Sequence, residues 1–225
     1  MVSKPENQAI MKKPDGVLKP IEFVYFDLGN VLASFDVERA CQNVAQRWNV
    51  DPAIVRQTLW ASGAQDRFEH GHVDDEAFAA IAREGLGLGL ELAPTKELLD
   101  LLSDMFEPVA EMEKLVDDVR HSGTKLGILS NTCAAHWRWI LECDYPSLRG
   151  PFHQVVLSYE LGVMKPNLAI YQAAEESAAV EPDAILFLDD RADNVAAALS
   201  CGWQACLFTD AKSARELLRY RGVLE

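Results

Sequence analysis

No stretch of the sequence is apolar for long enough to cross a bilayer, and no CxxC spacing marks a disulfide scaffold or a zinc site. Positive charge is also scarce: 21 Lys and Arg stand against 35 Asp and Glu, for a formal net charge of −14. A chain this acidic has little surface for neutralising nucleic-acid phosphates or an anionic membrane, so neither is expected as a partner. An anionic substrate would need a local positive centre, such as a metal ion or a lysine. The five cysteines, Cys41, Cys133, Cys143, Cys201 and Cys206, are an odd set lying in apolar or helical stretches, which fits reduced thiols in a cytoplasm. The opening MVSKPENQAIMKKPDGVLKP lacks the apolar run of a signal peptide and reads as a flexible tail over residues 1–20, with Met11 a second candidate start. A monomer or weak homodimer is expected.

What the chain does have is 225 residues at 49% apolar composition, enough for a substantial core. IEFVYFD (21–27), KLGILSN (125–131), QVVLSY (154–159) and AILFLDD (184–190) are short apolar runs of the kind that form buried parallel strands, and WQACLF (203–208) is a fifth. Amphipathic spacing at Met112, Leu115, Val116 and Val119, and again at Ile170, Tyr171 and Ala174, predicts helices between them. The fold class is therefore α/β, a doubly wound parallel sheet with right-handed crossovers.

Residues 28–124 lie between the first two strands, far more than the dozen or so a simple crossover needs. Helical spacing at Val37, Ala40, Cys41, Val44 and Trp48, and helix starts at Asp51-Pro52, Asp74 and Pro94-Thr95, predict an all-helical cap over 35–108. The catalytic core is then 21–34 plus 109–225. The glycines of EGLGLGLELAP (84–94) follow a helical pattern and not a strand, so they read as a helix exit and not as a phosphate cradle.

In open parallel sheets ligands gather beyond the carboxyl ends of the strands. Those ends carry Asp27, then Ser130 and Asn131, then Asp189 and Asp190, with Lys165 in the ELGVMKPN loop. Clustered carboxylates repel one another unless a cation sits among them, and hard oxygen ligands beside a phosphate select Mg²⁺. One carboxylate can then attack phosphorus while the metal and the lysine neutralise the phosphoryl oxygens. Each residue also has a plainer role open to it, as a helix cap or a solvated loop charge. Their joint arrival at consecutive strand ends favours chemistry. In the cap, DRFEHGHVDDEAF sets Arg67, His70 and His72 near a turn at Gly71; Arg67 is a candidate substrate-binding residue, while both histidines read as a solvated loop with Phe68 and Phe78 in the cap core. Cys133 reads as a buried structural thiol, with His136 the nearest base.

FDLGN, LSN, the lysine of GVMKP and FLDDRADN, in that order across roughly 21–210, resemble the four motifs of the haloacid dehalogenase superfamily. The insert stands where that family carries a helical cap. FDLGNV, SNT, KP with IYQ downstream, DDxADN and FEHGHVDDEAFA are most similar to the bacterial α-D-glucose-1-phosphate phosphatase branch. The resemblance implies a Mg²⁺-dependent phosphohydrolase of a small phosphorylated metabolite, a sugar phosphate such as glucose 1-phosphate, working through an aspartyl phosphate. It implies Asp27 as nucleophile and metal ligand, Ser130 and Asn131 on the phosphoryl group, and Lys165 steadying that group and Asp27. Asp190 and the Gly29 carbonyl would bind the metal, with Asp189 and Asn194 in support.

Gly29 departs from the superfamily pattern, which usually places a second Asp there as general acid, a role worth about 10²–10⁴ in rate. The glucose-1-phosphate branch carries the same glycine. Two alternatives stay open: a low-turnover phospho-ligand-binding or regulatory protein lacking the acid, and a 2-haloacid dehalogenase. Dehalogenases of this family attack carbon with the same Asp, usually carry a bulky aromatic in place of Gly29, and lack an acid pair such as Asp189-Asp190.

Overall fold

In the computed structural model, residues 19–225 are described. Up to residue 18 the expected tail lies outside the described residues. Lys19, expected within that tail, is tied down: its Nζ is 2.9 Å from Asp183 Oδ1, and its carbonyl accepts from Gln204 Nε2 at 3.2 Å and from Arg221 at 2.8 Å.

Along the chain, β1 (Phe23–Phe26) turns into β2 (Ala33–Phe35), which opens a helical excursion. That excursion holds α1 (Val37–Trp48), α2 (Pro52–Arg56), one π-helical turn (Gln57–Ala61), α3 (Ala64–Glu69), α4 (Asp75–Leu86) and α5 (Thr95–Ser103). The return strand is β3 (Phe106–Pro108), followed by α6 (Ala110–His121), β4 (Lys125–Ser130), α7 (Ala134–Glu142), β5 (Gln154–Leu157), α8 (Ser158–Leu161) and α9 (Leu168–Ala178). β6 (Ile185–Asp189), α10 (Ala192–Ser200), β7 (Gln204–Leu207) and α11 (Ala211–Tyr220) complete it.

The five apolar runs pair as one parallel sheet in the order β5-β4-β1-β6-β7. β1 is buried along its whole length because both faces are covered. Phe23 and Tyr25 join Ile170, Tyr171, Ala174 and Trp203 on one side, while Val24 and Phe26 join Met112, Leu115, Val116 and Val119 on the other. The period-two alternation of a strand thus splits one run between two cores, each buried side chain contributing about 1.5–3 kcal/mol. Tyr25 stacks on Trp203 at 5.6 Å and donates its hydroxyl to the Ala174 carbonyl at 2.8 Å. Phe26 is level with Ile128 and with Leu188, so the chain leaving β1 emerges between the ends of β4 and β6.

The cap helices begin where the sequence places their signals. Asp51 and Asp74 accept the N–H of Ala53 and Ala77, each cap typically worth about 1 kcal/mol. Phe68 stacks on Phe78 at 4.3 Å, both buried. The antiparallel ribbon β2/β3, with Phe35 opposite Phe106, crosses the expected cap boundary at 34/35, ends at the one at 108/109, and is not foreseen from the sequence. Strands of three residues are too short to show a period. No helix among the described residues is long and apolar enough to cross a membrane.

Candidate active site

Asp27 follows directly on β1, and its N–H donates to the Leu188 carbonyl at 2.9 Å, which carries the chain one residue further along β6 before it turns. The turn then needs Asn30 in the left-handed region (φ 55°), which asparagine tolerates better than most residues. Asn30 Nδ2 donates to Asp190 Oδ2 at 3.0 Å, so the turn after β1 orients the acid after β6. Asn30 is not among the site residues expected from the sequence, although an Asn following Gly is itself a turn signal.

Lys165 joins the strand ends. It is 4% exposed, and its Nζ lies 2.8 Å from Asp27 Oδ1, 2.7 Å from Asp189 Oδ2 and 2.8 Å from the Leu129 carbonyl, which saturates the three donors of an ammonium. Burial alone would lower its pKa, but Asp27 and Asp189 outweigh that and hold the ammonium charged. Burial pushes the Asp27 carboxyl up from its usual range; Lys165 pulls against the rise and Asp189 adds to it.

Asp189 is fully buried and spoken for. Asn194 Nδ2 lies 3.0 Å from each of its oxygens, the Arg191 N–H donates to Oδ1 at 2.8 Å, and Lys165 holds Oδ2. Asp189 therefore places Lys165 and Asn194 and keeps no oxygen for a ligand. Asp190 is half-buried, with the Asn30 contact its one hydrogen bond among the described residues.

Carboxylate oxygens of Asp27, Asp189 and Asp190 lie within 4.8 Å of one another. Three acids share one lysine, which leaves negative charge that a divalent cation would offset. The donors are all hard oxygens and fit Mg²⁺, with Asp27 and Asp190 the acids that retain capacity.

These residues open onto a cavity of about 260 Å³ roofed by cap residues. Asp27, Gly29, Ser130, Asn131, Lys165 and Asp190 all line it, as does Asn194. Ser130 Oγ is buried and makes one long bond, 3.3 Å to the Asn131 carbonyl. The Asn131 side chain does not fit the phosphoryl contact expected of it: Nδ2 donates to the Lys165 carbonyl and Oδ1 accepts the Lys165 N–H, both at 2.8 Å. Its amide clamps the lysine's backbone, so only its own backbone N–H is available to a ligand.

Arg67 also stands apart from expectation. It is exposed on α3 and does not line the cavity, because the helix turns Gln65, Phe68 and Glu69 inward at i, i+3 and i+4 and leaves position 67 outside. The residue of FEHGH that does line the cavity is Glu69. His70 and His72 stack on each other at 5.0 Å, and neither lines the cavity. Cys133 is buried and its thiol pKa raised; burial lowers His136 to about 4, so that pair is an inert thiol beside a neutral imidazole.

A family model described as haloacid dehalogenase-like hydrolase matches residues 21–202. A phosphatase from Mycobacterium tuberculosis is 28% identical over 201 residues, covering 87% of this chain and 91% of that protein. An (S)-2-haloacid dehalogenase from Pseudomonas putida is 24% identical over 195 residues, 84% of this chain and 85% of that one. Among solved structures, a family enzyme from Bacteroides thetaiotaomicron in complex with magnesium and inorganic phosphate superposes with a TM-score of 0.75 at 24% identity, covering 84% of this chain and 95% of that one. With the family model spanning most of its length, the chain belongs to the haloacid dehalogenase-like hydrolases.

Proposed function

We propose that the protein is a Mg²⁺-dependent phosphohydrolase acting on a small phosphorylated metabolite, most simply a sugar phosphate such as glucose 1-phosphate. The observation that carries the reading is Lys165 bridging Asp27 and Asp189 at 2.8 and 2.7 Å on the floor of the cavity beneath the cap, with Asp190 beside them. Asp27 Oδ1 is held by Lys165 and by the Leu28 N–H at 2.7 Å, while Oδ2 takes no hydrogen bond among the described residues and is the oxygen free to attack. A nucleophile fixed through one oxygen is oriented without being blocked. Ser130 Oγ and the Asn131 backbone N–H would receive the phosphoryl oxygens, while the Lys165 ammonium, its three donors already taken, would add positive charge beside them. Asp27, Asp190 and the Gly29 carbonyl would hold Mg²⁺, which supplies charge neutralisation for the transferring group. The similarity to a mycobacterial phosphatase supports this reading, and the sugar-phosphate choice rests on the motif resemblance and the small cavity. The core of 21–34 and 109–225 and the cap of 35–108 are the division we adopt.

Phosphate release from a sugar-phosphate panel with Mg²⁺, wild type against Asp27→Asn, tests the proposal. Loss of at least about 10³-fold in turnover is expected from removing a covalent nucleophile. Equal turnover in the variant sinks the covalent mechanism. The similarity to a dehalogenase makes halide release from a 2-chloroacid the parallel assay, and halide without phosphate would replace the proposal. Tight calorimetric binding of sugar phosphates with no release would favour a binding protein instead.

A further inference from the structure

Breaking a phosphate ester leaves an alkoxide that needs a proton, and Gly29 has no side chain to give one. We propose that Glu69, entering the cavity from the cap, is the acid that protonates the leaving oxygen. This rests on the phosphohydrolase reading.

Three observations converge on Glu69. First, it lines the same cavity as Asp27, from the roof. An in-line displacement puts the leaving oxygen on the far side of phosphorus from Asp27, which is the cap side. Second, Glu69 is held from two directions: buried Gln65 donates to its Oε1 at 2.9 Å, and the Ser158 hydroxyl donates to its backbone carbonyl at 2.6 Å. Oε2 has no partner among the described residues and is free to meet a ligand. The turn beyond it is seated on the core so closely that a Cβ on Gly71 would lie 2.2 Å from the Tyr159 carbonyl oxygen. Third, burial pushes the Glu69 carboxyl up to about 7, with Asp66 adding, Gln65 and His70 opposing, so a protonated fraction exists at neutral pH.

The other ionisable groups in the cavity are committed elsewhere. Lys165 has used its donors, Arg191 is paired with Asp193 at 2.7 Å, and His136 is neutral and packed edge-on against Phe106. Asp27 and Asp190 are taken by the phosphoryl and metal roles.

Asp27 attacks phosphorus, the bond to the substrate oxygen breaks with its electron pair going to that oxygen, and the Glu69 proton moves onto it to release a neutral alcohol. Water then attacks the aspartyl phosphate, giving its proton to the Glu69 carboxylate and its hydroxyl to phosphorus, while the pair of the breaking bond returns to Asp27. Both carboxyl groups end as they began.

The test is Glu69→Gln, which keeps size and polarity, on two substrates: an alkyl phosphate, whose leaving group needs a proton, and p-nitrophenyl phosphate, whose leaving group does not. The readout is kcat/KM, which reports the steps through alcohol release. We expect a fall of about 10²–10⁴-fold on the alkyl phosphate and less than about 10-fold on the aryl one. Calorimetric binding of the alkyl phosphate to Asp27→Asn, with and without Glu69→Gln, should differ by less than about 3-fold. Equal losses on the two substrates, no loss on either, or an affinity loss matching the kinetic one overturns the proposal while leaving the phosphohydrolase reading intact. Failure of the wild type to release phosphate from either substrate overturns both.

Discussion

The floor and the roof of the cavity are built on opposite plans. The floor, at the ends of β1, β4 and β6, is a network in which every charged group has a partner: Lys165 with Asp27 and Asp189, Asn194 with Asp189, Asn30 with Asp190. The roof is mostly apolar, formed by residues such as Phe35, Val37 and Trp60, and Glu69 is its one carboxylate among the described residues. A phosphoryl group needs many fixed charges around it, which only the rigid sheet edge supplies. A leaving group needs a dry wall and one proton, and a small helical cap is enough for that.

The largest effect that tests this contrast comes from the floor. Lys165→Met removes the one cation bonded to two buried acids, and breaking such a network by deleting one partner costs about 3–5 kcal/mol. Urea unfolding of the variant should show that loss at pH 8, with the gap narrowing at low pH, where a proton can neutralise the stranded charge. A loss under about 1 kcal/mol would mean that the floor is not a single electrostatic unit.

The floor was largely legible in the sequence and the roof was not, for a physical reason. Asp27, Ser130, Lys165 and Asp190 interrupt apolar runs or sit just beyond them, and a parallel sheet gathers its strand ends whatever the intervening chain does. Asn131 shows the edge of that logic. Its position at the site was foreseeable, but the use of its amide depends on where the loop carrying Lys165 returns, which no local pattern records. In the cap, phosphate chemistry drew attention to the basic Arg67, whereas the phase of α3 turns Gln65, Phe68 and Glu69 inward. The helical period carried that signal, since a glutamate on the face of a buried phenylalanine is a residue out of place.

Glu69 supplies the next test, with an effect of intermediate size and a sign that separates function from stability. Its carboxyl is raised from 4.5 to about 7 in the folded chain, chiefly by burial. Between those values the folded state binds the proton and the unfolded state does not, so this group's contribution to stability falls as pH rises and levels off above about 7. The charge-shifting neighbours are Asp66 and His70 on its own segment; Cys133, just before α7, feels its charge in turn. Glu69→Gln should therefore match the wild type near pH 4.5 and exceed it at pH 8 by up to about 3 kcal/mol, while losing activity on alkyl phosphates. Parallel urea curves at the two pH values check it; a stability gap that does not change with pH would mean that the carboxyl is ordinary and the roof has no poised acid.

The smallest effect probes the seam between the two walls. The Ser158 hydroxyl donates to the Glu69 carbonyl, lies 3.0 Å from the Thr132 carbonyl and accepts the Thr132 N–H at 2.9 Å, so one buried side chain fastens the acid of the roof to the loop following β4. Ser158→Ala should cost about 1–2 kcal/mol, the usual loss when buried hydrogen-bonding groups are left without a partner. If the link does no more than stabilise, aryl and alkyl phosphates will suffer alike. If it positions Glu69, the alkyl phosphate will lose more, because only its leaving group depends on a proton delivered from a fixed place. The ratio of the two kcat/KM values, compared between Ser158→Ala and wild type, is therefore the quantity to measure. An unchanged ratio would show that Glu69 keeps its aim through Gln65 and the close seating of Gly71 on Tyr159 alone.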